Sequence, residues 1–195
     1  MKFLDPFIAV LIFHAVSLPN DLPSVRSTPL KAEQEVINSL IQQQFFRFST
    51  HVIGNDYSVG VLFRPERPGV LSKLHALVPQ EGNYKISLWD VESQELLVQA
   101  TVDQTIDEWS VVEIPDQWLK ANHTYAISIF LPIGTHYYNV SELELPATVE
   151  DIHIISSVAA YSDTYPVDLK MPDALFGLLD FTFAATSENP ISSVF

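Results

Sequence analysis

From Tyr57 onward the apolar residues recur with a period of two, and this commits most of the chain to β-structure. Tyr57, Val59, Val61 and Phe63 alternate with Ser58, Gly60, Leu62 and Arg64, and successive side chains of a strand point to opposite faces. Pro65, Pro68 and Gly69 mark a turn, after which Val70–Val78 reads as a second strand. Tyr84, Ile86 and Leu88 alternate with Lys85, Ser87 and Trp89 in a third. The short polar connection Asp90 to Gln94 leads to a fourth, where Leu96, Val98, Ala100 and Val102 share a face. These two strands are expected to form a hairpin. Further strands are expected at Trp109–Ile114, Tyr125–Leu131, Ile152–Val158 and Leu178–Phe183. Strand follows turn follows strand, with no convincing helix after residue 45. The expected fold is therefore all-β: an antiparallel β-sandwich, jelly-roll-like, rather than a set of βαβ units.

The segment ahead of the alternation reads differently. Residues 1–17 carry Lys2, an apolar run from Phe7 to Val16 and a small-residue end at Ala15-Val16-Ser17. This pattern is expected to be a secretory signal, with a buried terminal strand or helix of the domain as the alternative, and the run is too short to span a membrane comfortably. Residues 18–28, polar and proline-rich, read as a linker. Thr28-Pro29 looks like a cap and first turn, and Val36, Ile37, Leu40 and Ile41 recur at helical spacing. A short helix is expected over about 29–43, with a strand as the alternative for its second half. Residues 29–186 then form one domain, and 187–195 a frayed tail.

Composition narrows the function. The 195 residues contain 10 Lys plus Arg against 24 Asp plus Glu, a net charge of −14, and no cysteine. A disulfide framework, a thiolate metal site and a cysteine nucleophile are excluded. An acidic chain also lacks the basic stripe that nucleic-acid binders use to release phosphate counterions. With 47% hydrophobic residues, the chain has enough apolar surface to fold.

Three constellations carry residue types that chemistry could use. Asp151 and His153 share one face of a strand and Ser156 lies near in sequence, but no local pattern delivers a nucleophile to that imidazole. Glu142 and Glu144 share a face if extended, yet they would project in parallel rather than flank a glycosidic bond. Asp163, Asp168, Asp173 and the Asn55-Asp56 pair offer hard oxygens suited to calcium, at no fixed calcium-loop spacing. Each set reads better as turn or surface residues. No catalytic residue, cofactor or metal ligand is assigned.

Aromatic residues remain. Flat rings beside hydrogen-bonding groups can hold the C–H faces of sugars. Trp89 falls opposite Tyr84, Ile86 and Leu88, next to Asp90 and a turn. Tyr137 and Tyr138 follow Gly134-Thr135-His136 in a loop-like stretch, although they also fit an ordinary strand. Tyr161 and Tyr165 flank Asp163. A tryptophan in a sandwich strand more often serves the core or clamps a hairpin, and Trp109 and Trp118 read as structural, near a packed corner at Pro115. Trp89, Asp90, Tyr137 and Tyr138 are the expected ligand-binding residues.

Several short patterns occur in an order that resembles a known family. They are Gly60-Val61-Leu62-Phe63, Pro68-Gly69-Val70, Tyr84-Lys85-Ile86-Ser87-Leu88-Trp89-Asp90, Trp109, Tyr125-Ala126-Ile127-Ser128, Tyr137-Tyr138 and Gly177-Leu178-Leu179-Asp180-Phe181-Thr182-Phe183. Together they resemble the bacterial domain of unknown function family numbered four thousand and eighty-two. The resemblance implies an all-β sandwich of secreted or surface proteins, beside carbohydrate-active or adhesive modules, and brings no reaction with it. Its single-domain forms often look like lipoproteins; without a cysteine, a secreted or periplasmic location is expected here. The function expected is a non-catalytic, exported binding module for a glycan or another surface component. The alternative is a structural or protein-interaction domain, and an unrecognised hydrolase is the remote third. No nucleic-acid partner and no membrane span are expected.

Overall fold

The computed structural model describes residues 34–44, 47–170 and 173–186. The expected signal at 1–17, linker at 18–28 and tail at 187–195 lie outside them. In chain order the elements are β1 (Gln34–Glu35), α1 (Val36–Gln43), β2 (Arg47–Val52), β3 (Tyr57–Pro65), β4 (Gly69–Leu77), β5 (Gly82–Asp90) and β6 (Leu96–Gln104). These are followed by β7 (Ser110–Leu119), β8 (Tyr125–Leu131), β9 (His136–Ser141), β10 (Ala147–Val149), β11 (Ile152–Tyr161), β12 (Val167–Asp168), β13 (Ala174–Phe176) and β14 (Leu178–Ala185).

Each strand expected from the alternation is present. The strands pair antiparallel in three sheets: β1-β14-β4-β7, then β10-β11-β3-β8-β5-β6 with β12 on β11, and β13-β9-β2. The first two sheets face each other as a sandwich. Their inner faces are the apolar halves of the period-two pattern, and Phe63 of β3 meets Phe181 of β14 with ring centroids 4.4 Å apart. Around that pair Val61, Ile86, Leu88, Ile127 and Phe183 are buried. Gly60 lies mid-strand because β8 passes too close for a side chain. A Cβ there would stand 2.0 Å from the Ile127 carbonyl oxygen.

Two expectations change. The helix is shorter than 29–43: it begins at Val36, and Gln34–Glu35 are extended, pairing with Phe183 and Thr182 of β14. Residues 29–33 lie outside the described residues. The alternation also stopped short on β7. Instead of turning a corner at Pro115, the strand continues to Leu119 through an irregularity, since Leu71 pairs with Gln117 while Lys73 pairs with Glu113. Proline has no N–H to give a ladder, so it sits where the pairing is already broken.

The helix is capped from the far end of the chain. Its own cap position, Glu35, makes no side-chain cap bond, and its first turn holds no acidic residue. Asp180 Oδ1 instead accepts the Val36 and Ile37 amides at 2.8 and 2.9 Å, together with the Phe181 amide at 2.7 Å. First-turn amides have no partner within their own helix, and a carboxylate also suits the positive end of its dipole. So held, α1 directs Val36, Ile37 and Leu40 into the core.

Across the ladder, His75 pairs with Asp180 in register. Its Nε2 lies 2.8 Å from Thr182 Oγ1. Burial pulls the imidazole below its ordinary 6.5, against the opposing pull of the Asp180 and Glu35 carboxylates. Because the folded pKa is the lower one, stability is full above the unfolded value and declines as pH falls below it. Equilibrium urea unfolding is therefore expected to show stability falling from about pH 7 downward, with a shallower slope in His75→Gln. Asp180→Ala strands three buried amides and is expected to cost on the order of 3 kcal/mol in the same measurement, with Asp180→Asn costing less.

Candidate functional site

A cleft opens where the sandwich face runs out. The alternation that sends Val61 and Phe63 into the core carries Tyr57 and Val59 onto the same face, at the end of the sheet. There β3 and β11 put Tyr57 directly opposite Tyr161, and their rings lie 4.6 Å apart, tilted by 34°. The third sheet closes the other side with Tyr137 of β9 and Phe176 of β13, and the end of β2 adds Val52. The cleft has two adjoining lobes of about 260 and 560 Å³, which share Tyr57, Ala159 and Leu169. Tyr161 stands 70% exposed at its mouth. The neighbouring Tyr161 side chain, and secondarily burial, raise the Tyr57 hydroxyl above the usual tyrosine value.

Residues 162–170 form a strap that shapes both this cleft and the opposite face of the sheet. The Ser162 amide donates to the Asp56 carbonyl at 2.9 Å, which joins the strap to the turn before Tyr57. Asp163 then reaches Lys85 on β5 at 2.8 Å. Tyr165 packs edge-on against Trp89, with centroids 5.8 Å apart. The chain returns to β11 as β12, where Ser156 Oγ donates to Asp168 at 2.6 Å. Thr164, Val167 and Leu169 line the larger lobe.

The four residues expected to bind ligand are dispersed over this framework. Trp89 does lie on the face opposite Ile86 and Leu88, yet it is only 9% exposed. Tyr165 of the strap covers it, Leu62, Ala126 and Val158 surround it, and its Nε1 donates to Ser128 Oγ at 3.1 Å. Asp90 caps the hairpin turn, accepting the Glu92 and Ser93 amides at 3.0 Å on Oδ1, while Oδ2 meets His123 Nε2 at 2.7 Å. Burial alone would raise the Asp90 carboxyl; the Ser93 amide and His123 outweigh it and hold it below its ordinary value. Tyr137 and Tyr138 lie on strand β9 rather than in a loop. Tyr137 borders the cleft. The Tyr138 hydroxyl donates instead to Asp107, which with burial pushes it up to about 12. Only Tyr137 of the four lines the cleft, beside Tyr57, Tyr161 and Leu169, none of which is among the expected ligand-binding residues.

Members of the serine–histidine and paired-glutamate constellations are engaged separately. His153 meets Thr148 at 3.0 Å, while Ser156 donates to Asp168. Glu142 sits at a positive φ of 64° and pairs with Arg47 at 3.0 Å, and the Glu144 amide donates to Gln44. Among the described residues no three His, Asp or Glu side chains are grouped to hold a metal. None of the described helices is long and apolar enough to cross a membrane.

The model of a family described as Domain of unknown function (DUF4082) matches residues 48–176, well over half of the chain. The chain belongs to this family. The matched span contains every residue named above as lining the cleft. It ends before β14, so the Gly177–Phe183 pattern and the Asp180 cap lie beyond it. No curated protein matches the chain.

Stability separates the two aromatic sites. Trp89→Ala removes a buried ring and is expected to cost about 3 kcal/mol in urea unfolding. Tyr161→Ala, at an exposed position, is expected to cost about 1 kcal/mol or less.

Proposed function

We propose that this DUF4082 chain is a non-catalytic, exported binding module whose ligand is a glycan of the cell surface. The observation that carries the reading is the Tyr57–Tyr161 pair at the mouth of the cleft, one ring 70% exposed. A sugar ring laid on Tyr161 would bury its C–H face against that ring. Tyr57, Tyr161 and Thr164, whose hydroxyl donates to the Tyr161 carbonyl at 2.9 Å, bring hydroxyl groups to the same lobe. Rigid strands hold the platform and loops border it, the usual division of labour in a binding domain. The non-catalytic part is supported by the separate engagement of His153, Ser156 and Glu142. Export is supported by the apolar N-terminal run at Phe7–Val16.

A protein partner is the second reading. Val52 and Val167, 59% and 58% exposed, extend the apolar surface beyond the tyrosines, and exposed apolar patches commonly mark interaction sites.

Isothermal titration of the full chain against a panel of neutral, amino and acidic oligosaccharides tests the sugar reading. Binding to at least one member is expected, with loss of roughly tenfold or more in affinity in Tyr161→Ala. A flat response across the panel removes the glycan and leaves the protein partner.

A further inference from the structure

The lining of the cleft narrows the class of glycan, on the reading that the cleft holds one. Its two lobes, about 260 and 560 Å³, have the size of small-molecule sites, which are walled mainly by apolar side chains. Among the described residues no charged or amide side chain lines either lobe. The polar side-chain atoms are the hydroxyls of Tyr57, Tyr137, Tyr161 and Thr164, and that of Thr164 already donates to the Tyr161 carbonyl at 2.9 Å.

The backbone behind these side chains is spent as well. Tyr57 and Val59 lie on β3, which is paired with β8 on one edge and β11 on the other. Ala159 stands between Val59 and Val167 in the same sheet. The Ile53 amide donates to the Thr135 carbonyl at 2.9 Å, and the Ile53 carbonyl accepts the Gly134 amide at 3.0 Å. The Leu169 amide donates to the Ser157 carbonyl at 3.0 Å. A sugar drawn into this space would lose water from its hydroxyls and find few partners for them. A hydrocarbon gains from every methylene it buries there.

The two lobes differ in burial. The larger carries Tyr161 and Val167, 70% and 58% exposed, with Thr164 beside them. The smaller reaches between the sheets to Ile53 and Val59, only 6% and 5% exposed. Ala159 and Leu169 line both lobes, so a chain can pass from one to the other.

We infer that the ligand is a glycolipid, its sugar on Tyr161 at the mouth and its alkyl or acyl chain running past Ala159 and Leu169 to Val59. A free oligosaccharide would use the exposed ring and leave the smaller lobe to water. An extended peptide would bring amides that the same lining cannot satisfy.

Isothermal titration of the full chain tests this with methyl, hexyl and octyl glycosides of glucose, galactose and N-acetylglucosamine, all below their micelle concentrations. Hexyl and octyl ethers of oligoethylene glycol carry the same chains without a sugar. For at least one sugar, affinity is expected to rise about two- to threefold per added methylene. Its octyl glycoside is expected to bind about tenfold tighter than the octyl ether. Leu169→Glu puts a charge where the lobes join, at a position 37% exposed, and should abolish the rise with chain length. Ala159→Leu narrows the same junction and should blunt that rise. Tyr161→Ala should keep the rise and lose the advantage of glycoside over ether. Circular dichroism checks that each variant is folded. Methyl glycosides that bind as tightly as the octyl ones overturn the chain and leave the glycan reading standing. Ethers that bind as tightly as every glycoside overturn the sugar, and the glycolipid with it. A rise with chain length that survives both Leu169→Glu and Ala159→Leu places the chain elsewhere and overturns the inference. No binding of any probe overturns the inference and the glycan reading together, leaving the protein partner.

Discussion

One oxygen atom, Asp180 Oδ1, receives the first amides of a helix that begins 144 residues earlier in the chain. A helix of eight residues is short for independent stability in water, and this one has no cap of its own. Its apolar side chains supply the reason to dock, while the buried carboxylate supplies the partners that its free amides require. The same aspartate lies on β14, an interior strand of the first sheet. Without β14, β4 would lose one neighbour and Phe63 its contact with the Phe181 ring. Helix, sheet and core thus depend on the register that brings Asp180 level with His75. The family match stops just short of this strand, so the recognisable pattern is completed by a part of the chain outside it.

The cleft follows from the same geometry at the opposite extreme of burial. A strand's apolar face remains useful only while another sheet covers it. At Tyr57 and Tyr161 the cover ends, and residues patterned as core become walls open to solvent. The strap then works on both sides of the sheet. It lines the cleft through Thr164, Val167 and Leu169 and buries Trp89 beneath Tyr165. Its anchors are polar and individually modest: an Asp163–Lys85 pair, a Ser156–Asp168 bond and a backbone bond to Asp56. Loops held in this way can border a site without disturbing the core.

Much of the fold was legible in the sequence because alternation is a local property. Each strand from Tyr57 to Phe183 that was inferred from period-two spacing is present, and the helical spacing of Val36, Ile37 and Leu40 corresponds to α1. Among the strands not inferred as such, β1, β10, β12 and β13 are two or three residues long, too short to show a period, whereas β2 and β9 have six residues each and pair with one another. The site was less legible. Placing Trp89 opposite Ile86 was sound, but whether that face met solvent depended on a strap more than seventy residues away, and alternation carries no information about it. The loop reading of Tyr137 and Tyr138 had the same source, since β9 gains its pairing only from β2 and β13.

By itself, then, the sequence determined a cysteine-free, acidic chain built mainly of antiparallel strands, with one short helix ahead of them. These follow from composition and from spacings of two and four residues, which act within a single element. Tertiary structure alone decided which aspartate caps the helix, which aromatic rings are covered and which stand open. Those outcomes rest on residues far apart in the chain, such as Ser58 and Ser162, separated by 104 positions and joined by a 2.9 Å hydrogen bond. Such partners meet only because β3 and β11 pair directly across that separation, so the binding surface is a property of the assembled sheets.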